Sequence, residues 1–225
     1  LKLLEGEFLP VLKCSTSLWN ADLANMAAEI KRIEPFSESF HIDVADGHFV
    51  PPLLFFPDFV RDMRKHTNLP FDVHLIVNEP LKWVEPFAEA GADWITFFLN
   101  AGSDPVEVIQ AIKGFGKKVG LTMQVGDSLD IFDPYWDDMD FLTIMGTKIG
   151  IRGAGNDPTT RDRIRQARQF IDQHDLKTQI LADGGIRRET VPGLYAAGAH
   201  YIIPGSLMFK EDPVEMRKWL ASLEK

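Results

Sequence analysis

The sequence is nearly without cysteine: Cys14 stands alone among 225 residues. An internal disulfide is therefore excluded, and a lone thiol suits a reducing compartment, so a cytoplasmic location is expected. The chain also has no basic excess. Lys and Arg number 24 against 33 Asp and Glu, leaving a net charge of -9. Binding nucleic acid needs a concentrated cationic face, which this balance argues against. The one dense basic run, RDRIRQAR at 161–168, reads as the solvated face of an outer helix, and the acidic run DPYWDDMD at 133–140 as a solvated helix and loop. No apolar run approaches the roughly 18 residues of a membrane span. The opening stretch, LKLLEGEFLP, carries two glutamates and no apolar segment long enough for a signal peptide. Low-complexity segments and long linkers are missing too. Histidine is scarce, with 6 in the whole chain, so where each one falls carries information.

What the chain does have is a repeating alternation. Short apolar, β-branched runs occur at 11–16, 40–45, 71–77, 93–99, 118–124, 141–147, 178–184 and 200–206. Amphipathic or charged stretches separate them. One such stretch, ADLANMAAEIKRIEP, places Leu23, Met26, Ala27 and Ile30 on one stripe. Another, PLKWVEPFAEAG, ends at Gly91, a natural helix stop. The phrases AGAD (90–93) and AAGAH (196–200) occupy equivalent places, each ending a helix just before a buried strand. Eight strands with seven intervening helical stretches imply a parallel α/β sheet. A hydrophobic content of 45% over 225 residues supports one sizeable core. The expected architecture is a single (β/α)8 TIM barrel spanning residues 1–225, with a doubly wound open sheet as the alternative. In such a barrel the active site lies at the carboxyl ends of the strands.

The ionisable groups on those runs point there. FHIDVADGHFVPP (40–52) puts His41 and Asp43 two residues apart, hence on one face of a strand. A charge and an imidazole buried on the same face are costly unless they bind something. His74 lies in DVHLIV, and Asp183 ends the run TQILADG. Two imidazoles and two carboxylates make a nitrogen–oxygen shell suited to one divalent metal ion, zinc or ferrous iron first, manganese or cobalt otherwise. Taken singly, His74 reads as an ordinary core histidine and Asp183 as a turn residue; the four together on three runs point to a site. His48, His66, His174 and His200 fall in loops or at helix ends. Gly184-Gly185 and Gly205-Ser206 follow the last two runs, where many barrels bind phosphate through backbone N–H groups. The barrel is thus expected to be of the phosphate-binding type.

These motifs, HIDVADGHFVPP, DVHLIV, AGAD, ADGGI and GS, together with SLWNAD (17–22), resemble the ribulose-phosphate 3-epimerase family, including its allulose-6-phosphate relatives. The resemblance runs from about Cys14 to Phe209. It implies a one-metal enzyme that inverts C3 of a ketose phosphate such as ribulose 5-phosphate or xylulose 5-phosphate. His41, Asp43, His74 and Asp183 would hold the metal, and Asp43 and Asp183 would be the acid/base pair. It matches Ser17 to the first-strand serine, Met145 to a methionine lining the site, and the glycines to the phosphate site. No organic cofactor is implied. The expected partner is a small sugar phosphate, with no nucleic acid or membrane, and a homo-oligomer is expected.

The sequence departs from the family pattern in two places. Ala45 and Ile76 stand where methionines would be expected. The loop covering the substrate, KIGIRGAG (148–155), keeps Gly150 and Gly153 but brings in Lys148 and Arg152, which are expected to set specificity. Two alternatives stay open: a sugar-phosphate lyase or decarboxylase of similar architecture, and a barrel that binds a sugar phosphate without turnover. The DxKxxD cluster of the former is absent, since no lysine stands between Asp43 and Asp46.

Overall fold

In the computed structural model of the protein, the described residues are 11–151 and 153–223, and they form a closed parallel barrel wrapped by helices. The opening stretch LKLLEGEFLP and Arg152 lie outside them. The strands in chain order are β1 (Lys13–Ser17), β2 (Ser39–Asp46), β3 (Leu53–Leu54), β4 (Phe71–Ile76), β5 (Trp94–Phe98), β6 (Lys118–Met123), β7 (Phe141–Met145), β8 (Gln179–Asp183) and β9 (Tyr201–Ile203). The two-residue β3 runs antiparallel on the end of β2. The other eight are parallel and follow one another around the barrel. β1 pairs with both β9 and β2, which closes the sheet and excludes the open doubly wound alternative.

The helices are α1 (Met26–Ile33), α2 (Pro57–Arg64), α3 (Leu81–Ala90), α4 (Pro105–Gly114), α5 (Thr160–Gln173), α6 (Val191–Ala196), α7 (Ser206–Lys210) and α8 (Pro213–Ser222). Gly91 closes α3 with a left-handed φ of 109°. Two expectations shift. Leu23 lies in a 3₁₀ turn ahead of α1 and is half exposed, so the buried stripe is Met26, Ile30 and Ile33. The connection between β6 and β7 is a 3₁₀ segment, Leu129–Tyr135, rather than a solvated helix. Pro134 lies inside it and cannot donate to an α-helical ladder. Trp136 then turns inward and stacks on Phe170, with ring centroids 4.8 Å apart.

Strand alternation sorts the residues into two sets. On β2, Phe40, Ile42 and Val44 face the helices, and on β4 Phe71, Val73 and Leu75 do the same; all belong to the main hydrophobic cluster. The intervening residues point into the barrel. Its amino end is plugged by Trp94, Phe141, Leu181 and Tyr201, with Trp94 and Phe141 stacked at 4.6 Å. The opposite end carries His41, Asp43, His74 and Asp183. The barrel is thus a filled apolar pedestal beneath a polar mouth.

One glycine makes room between these layers. Gly120 on β6 lies opposite Thr96 on β5. A Cβ at Gly120 would collide with Thr96 Oγ1 and come 3.1 Å from Thr96 Cα. Gly120→Ala is therefore expected to destabilise the fold by about 1–3 kcal/mol, the usual cost of overpacking a tight interior. Urea unfolding of the two proteins measures this; equal midpoints would show that the barrel relaxes freely there.

Candidate metal centre and active site

Register builds the site. β2 and β4 pair so that His41 faces Asp72 and Asp43 faces His74. Each imidazole thus sits beside a carboxylate on the neighbouring strand as well as on its own. His41, Asp72 and His74 are fully buried, and Asp43 nearly so. His41 Nδ1 lies 2.6 Å from Asp72 Oδ2, and Thr96 donates its hydroxyl to the other Asp72 oxygen at 3.1 Å. With Nδ1 engaged by Asp72, His41 Nε2 points up at Asp43 Oδ1, 3.1 Å away, with Asp183 Oδ2 at 3.9 Å. Ser17 donates its hydroxyl to Asp43 Oδ2 at 3.1 Å. His74 Nε2 lies 2.9 Å from Thr122 Oγ1, while its Nδ1 is buried without a hydrogen-bond partner, 3.7 Å from Asp43 Oδ1.

That orphaned nitrogen tests whether the group fits a metal. A buried ring nitrogen with nothing to bond is costly, and a cation would remove the cost. One donor atom from each of His41, Asp43, His74 and Asp183 lies within 4.8 Å of all the others. Bonds of about 2.0–2.2 Å to one centre would place neighbouring donors about 3.0–3.5 Å apart, close to the separations found. The residues present fit one divalent ion.

The electrostatics of His41, Asp43 and Asp183 differ. Burial opposes a charge on His41, but the Asp72 and Asp43 carboxylates outweigh it and hold the imidazole pKa well above the ordinary value. Burial would likewise raise Asp43, but His41 and His74 reverse the effect and keep its carboxyl below the usual range. Burial, only partly countered by His41, pushes Asp183 up to about 6. The two carboxylates of the cluster are thereby driven apart, Asp43 downward and Asp183 upward.

Above the cluster opens a cavity of about 480 Å³. Asp43 and Asp183 form its floor, while His41 and His74 lie beneath. Ser17, Met145, Lys148, Gly150, Gly153, Gly184, Gly185, Gly205 and Ser206 all reach its wall. Gly184 and Gly185 have φ values of 87° and 68°, and a Cβ on Gly185 would lie 2.5 Å from the Asn156 backbone nitrogen. Asn156 donates its amide to the Gly184 carbonyl at 2.9 Å and so supports this turn. Ala45 and Ile76, expected from the resemblance to be methionines, belong to an apolar seat. Ala45 and Ile76 pack with Val50 and Phe98, and Ile149 from the covering loop rests on them.

Several residues of the site escape a reading of single motifs. Asp72, Thr96 and Thr122 lie under it, and Trp19, Asn20, Thr147, Arg187 and Lys210 line it. Only Asp72 left a trace, two residues before His74 on the same strand face. Arg163, within the basic run read as solvated, is buried. Its guanidinium donates to the carbonyls of Gln124 and Met145 at 3.1 and 2.7 Å.

A closed (β/α)8 barrel with two imidazoles and two carboxylates under a cavity at the strand ends defines an enzyme of the barrel class. Solved structures agree on the fold: the chain superimposes on KGPDC from Streptococcus mutans, with a TM-score of 0.70, 12% identity, and 96% and 97% of the two chains covered. It also superimposes on 3-hexulose-6-phosphate synthase from Salmonella typhimurium, with a TM-score of 0.64, 18% identity, and 94% and 98% covered. The chain belongs to the ribulose-phosphate 3-epimerase family, whose model matches residues 13–209, and it is an isomerase. It is 32% identical to ribulose-phosphate 3-epimerase of Bacillus subtilis (strain 168) over 201 residues, covering 88% of this chain and 93% of that protein. It is also 32% identical to the enzyme of that name from Methanocaldococcus jannaschii over 206 residues, covering 91% and 87%.

Asp72→Asn keeps the shape but removes the charge behind His41. Its expected effect is a 10–100-fold loss of affinity for a divalent ion, the usual cost of losing an outer partner of a metal-binding histidine. Cobalt(II) titration against a competing chelator reads this directly; unchanged affinity would mean that Asp72 serves packing alone.

Proposed function

We propose that the chain inverts C3 of a ketose phosphate, interconverting ribulose 5-phosphate and xylulose 5-phosphate or a related pair. One divalent ion would be held by His41, Asp43, His74 and Asp183, and Asp43 and Asp183 would exchange the protons. The observation that carries this reading is the placing of two carboxylates, from β2 and β8, at the floor of one cavity with two imidazoles behind them. Zinc or ferrous iron suits the nitrogen–oxygen donors, with manganese or cobalt also compatible.

The reaction removes a weakly acidic proton next to a ketone and returns one to the opposite face. When bound, a divalent cation supplies positive charge that favours the anion formed on proton removal. The rest falls to side chains. Asp43, kept ionised by its histidines and with one oxygen held by Ser17, would take the proton from one face. Asp183, on β8, would serve the other. Met145, Ile76 and Ile149 make the wall apolar, which excludes water and strengthens charge interactions inside. The backbone turns Gly184-Gly185 and Gly205-Ser206 form the anchor for the phosphate. Lys148, on the covering loop, contacts an anionic or hydroxyl-rich part of the substrate. Gly150 and Gly153 shape that loop. Arg152 was expected to share the role of Lys148, but it lies outside the described residues.

Turnover in deuterated water should place deuterium at C3 of the epimerised product, read by NMR. Asp43→Asn and Asp183→Asn are each expected to lower kcat by at least about a hundredfold, the lower end of acid/base contributions. Unaltered activity in either variant would sink this assignment. His74→Ala should keep the fold yet lose bound metal, as elemental analysis would show; full occupancy would remove His74 from the ligand set.

A further inference from the structure

The cavity has a charge asymmetry that the acid/base centre does not use. In this acidic chain many surface cations sit on acids: Lys82 on Glu79, Arg165 on Asp162, Arg217 on Glu38 and Lys218 on Glu215. Arg188 follows the glycine turn after β8 and pairs with Glu211, just beyond α7, at 2.7 Å. That pair ties together the two segments that follow β8 and β9. The residue before each partner, Arg187 in one segment and Lys210 in the other, lines the cavity on the side of Gly184-Gly185 and Gly205-Ser206. Neither Arg187 nor Lys210 has an ion-pair partner among the described residues. Arg187 also reaches across to the covering loop. Its Nη2 donates to the carbonyls of Gly153 and Ala154 at 3.0 and 3.3 Å, which leaves Nε and Nη1 without a described partner.

We propose that Arg187 and Lys210 form a cationic grip for the phosphate group of the substrate, and that Arg187 joins this grip to the covering loop. The proposal rests on the ketose-phosphate reading above and adds two specificity-determining residues to it. Backbone N–H groups at a glycine turn fix a phosphate in place but bring only partial charges. A guanidinium and an ammonium add two full charges to a dianion, and the planar guanidinium can serve two acceptors at once. Arg187 holds the loop carbonyls with Nη2, and its Nε and Nη1 have no hydrogen-bond partner among the described residues. A phosphate drawn to those donors and to Lys210 would hold the guanidinium in the orientation that fastens the loop. Phosphate binding and loop closure then become one event, at the opposite side of the mouth from the apolar seat of Ile149. A substrate lacking the phosphate would lose both the anchor and the latch.

The test uses the metal-loaded full chain and two ligands. Inorganic phosphate is titrated by calorimetry, and kcat and KM are measured with ribulose 5-phosphate or the best ketose phosphate found by screening. Arg187→Ala and Lys210→Ala are compared with Lys177→Ala, which removes an exposed lysine away from the cavity. The expected result is a tenfold or greater loss of phosphate affinity in each of the first two, with a matching rise in KM, of the order expected when a hydrogen bond to a charged group is lost. Arg187→Lys should restore phosphate affinity but not kcat, because a single ammonium lacks the planar fork that serves the loop carbonyls from one nitrogen and the phosphate from the others. Lys210 is exposed, so its variant is expected to fold normally and keeps the test decisive if Arg187→Ala does not. Phosphate affinities in Arg187→Ala and Lys210→Ala within twofold of Lys177→Ala would overturn the grip. Full recovery of kcat in Arg187→Lys would overturn the latch. If phosphate affinity falls as expected while no ketose phosphate is turned over, the grip stands and the epimerase reading fails.

Discussion

The buried contact between Asp72 and His41 is the constraint on which the rest of the site depends. A carboxylate with no solvent exposure needs a partner, because an unpaired charge in the interior costs several kcal/mol. His41 and the Thr96 hydroxyl supply that partnership. In return Asp72 engages one ring nitrogen of His41 and so directs the other upward at Asp43. Asp43 in turn is steadied by Ser17 from β1 and faced by His74 from β4. Gly120 gives Thr96 the space to reach Asp72. A chain of contacts therefore links β6, β5, β4, β2 and β1 under a single cavity floor. Its members are buried and close-packed, so a change at one is felt at the next.

Above that floor the cavity is divided by chemistry. The β2, β4 and β5 side is apolar, with Ala45, Ile76, Val50 and Phe98 as a seat for Ile149. The β8 and β9 side is polar, with two glycine turns, Arg187 and Lys210. The covering loop touches both sides: Ile149 rests on the seat, and the Gly153 and Ala154 carbonyls accept from Arg187. A loop anchored at two unlike contacts can respond to two features of one ligand, its bulk and its charge. Ala45 and Ile76, where the resemblance led one to expect methionines, take part in that apolar seat. Ile149 adds apolar atoms from the loop to the wall above the four-residue cluster.

Much of the fold was legible because strands and helices have different periods. The eight apolar runs lie where the eight barrel strands are, with ends shifted by a few residues, as at 200–206, where the strand is only Tyr201–Ile203. The runs extend past the strand ends because buried turn residues such as Pro204 are apolar as well. The basic helix misled for a related reason. Periodicity counts Arg163 as polar and places it in solvent, yet its long stem lets the guanidinium reach buried carbonyls. The run at 133–140 misled in the same way, since charge outvoted Trp136.

The sequence alone determined the residue types and their strand faces: His41 with Asp43, Asp72 with His74, and Asp183 ahead of two glycines. A period of two puts the members of each pair on one strand face, and this is a local property of the chain. Only the tertiary structure decided who stands beside whom. Strand register set His41 against Asp72 and Asp43 against His74, and barrel closure brought Asp183 within 3.9 Å of His41. The pairing of β8 with β9 put the segments that carry Arg187 and Lys210 side by side on one wall. Those facts depend on pairing between segments distant in sequence. Such pairing is fixed by the packing of the whole barrel, and no short window of residues contains it.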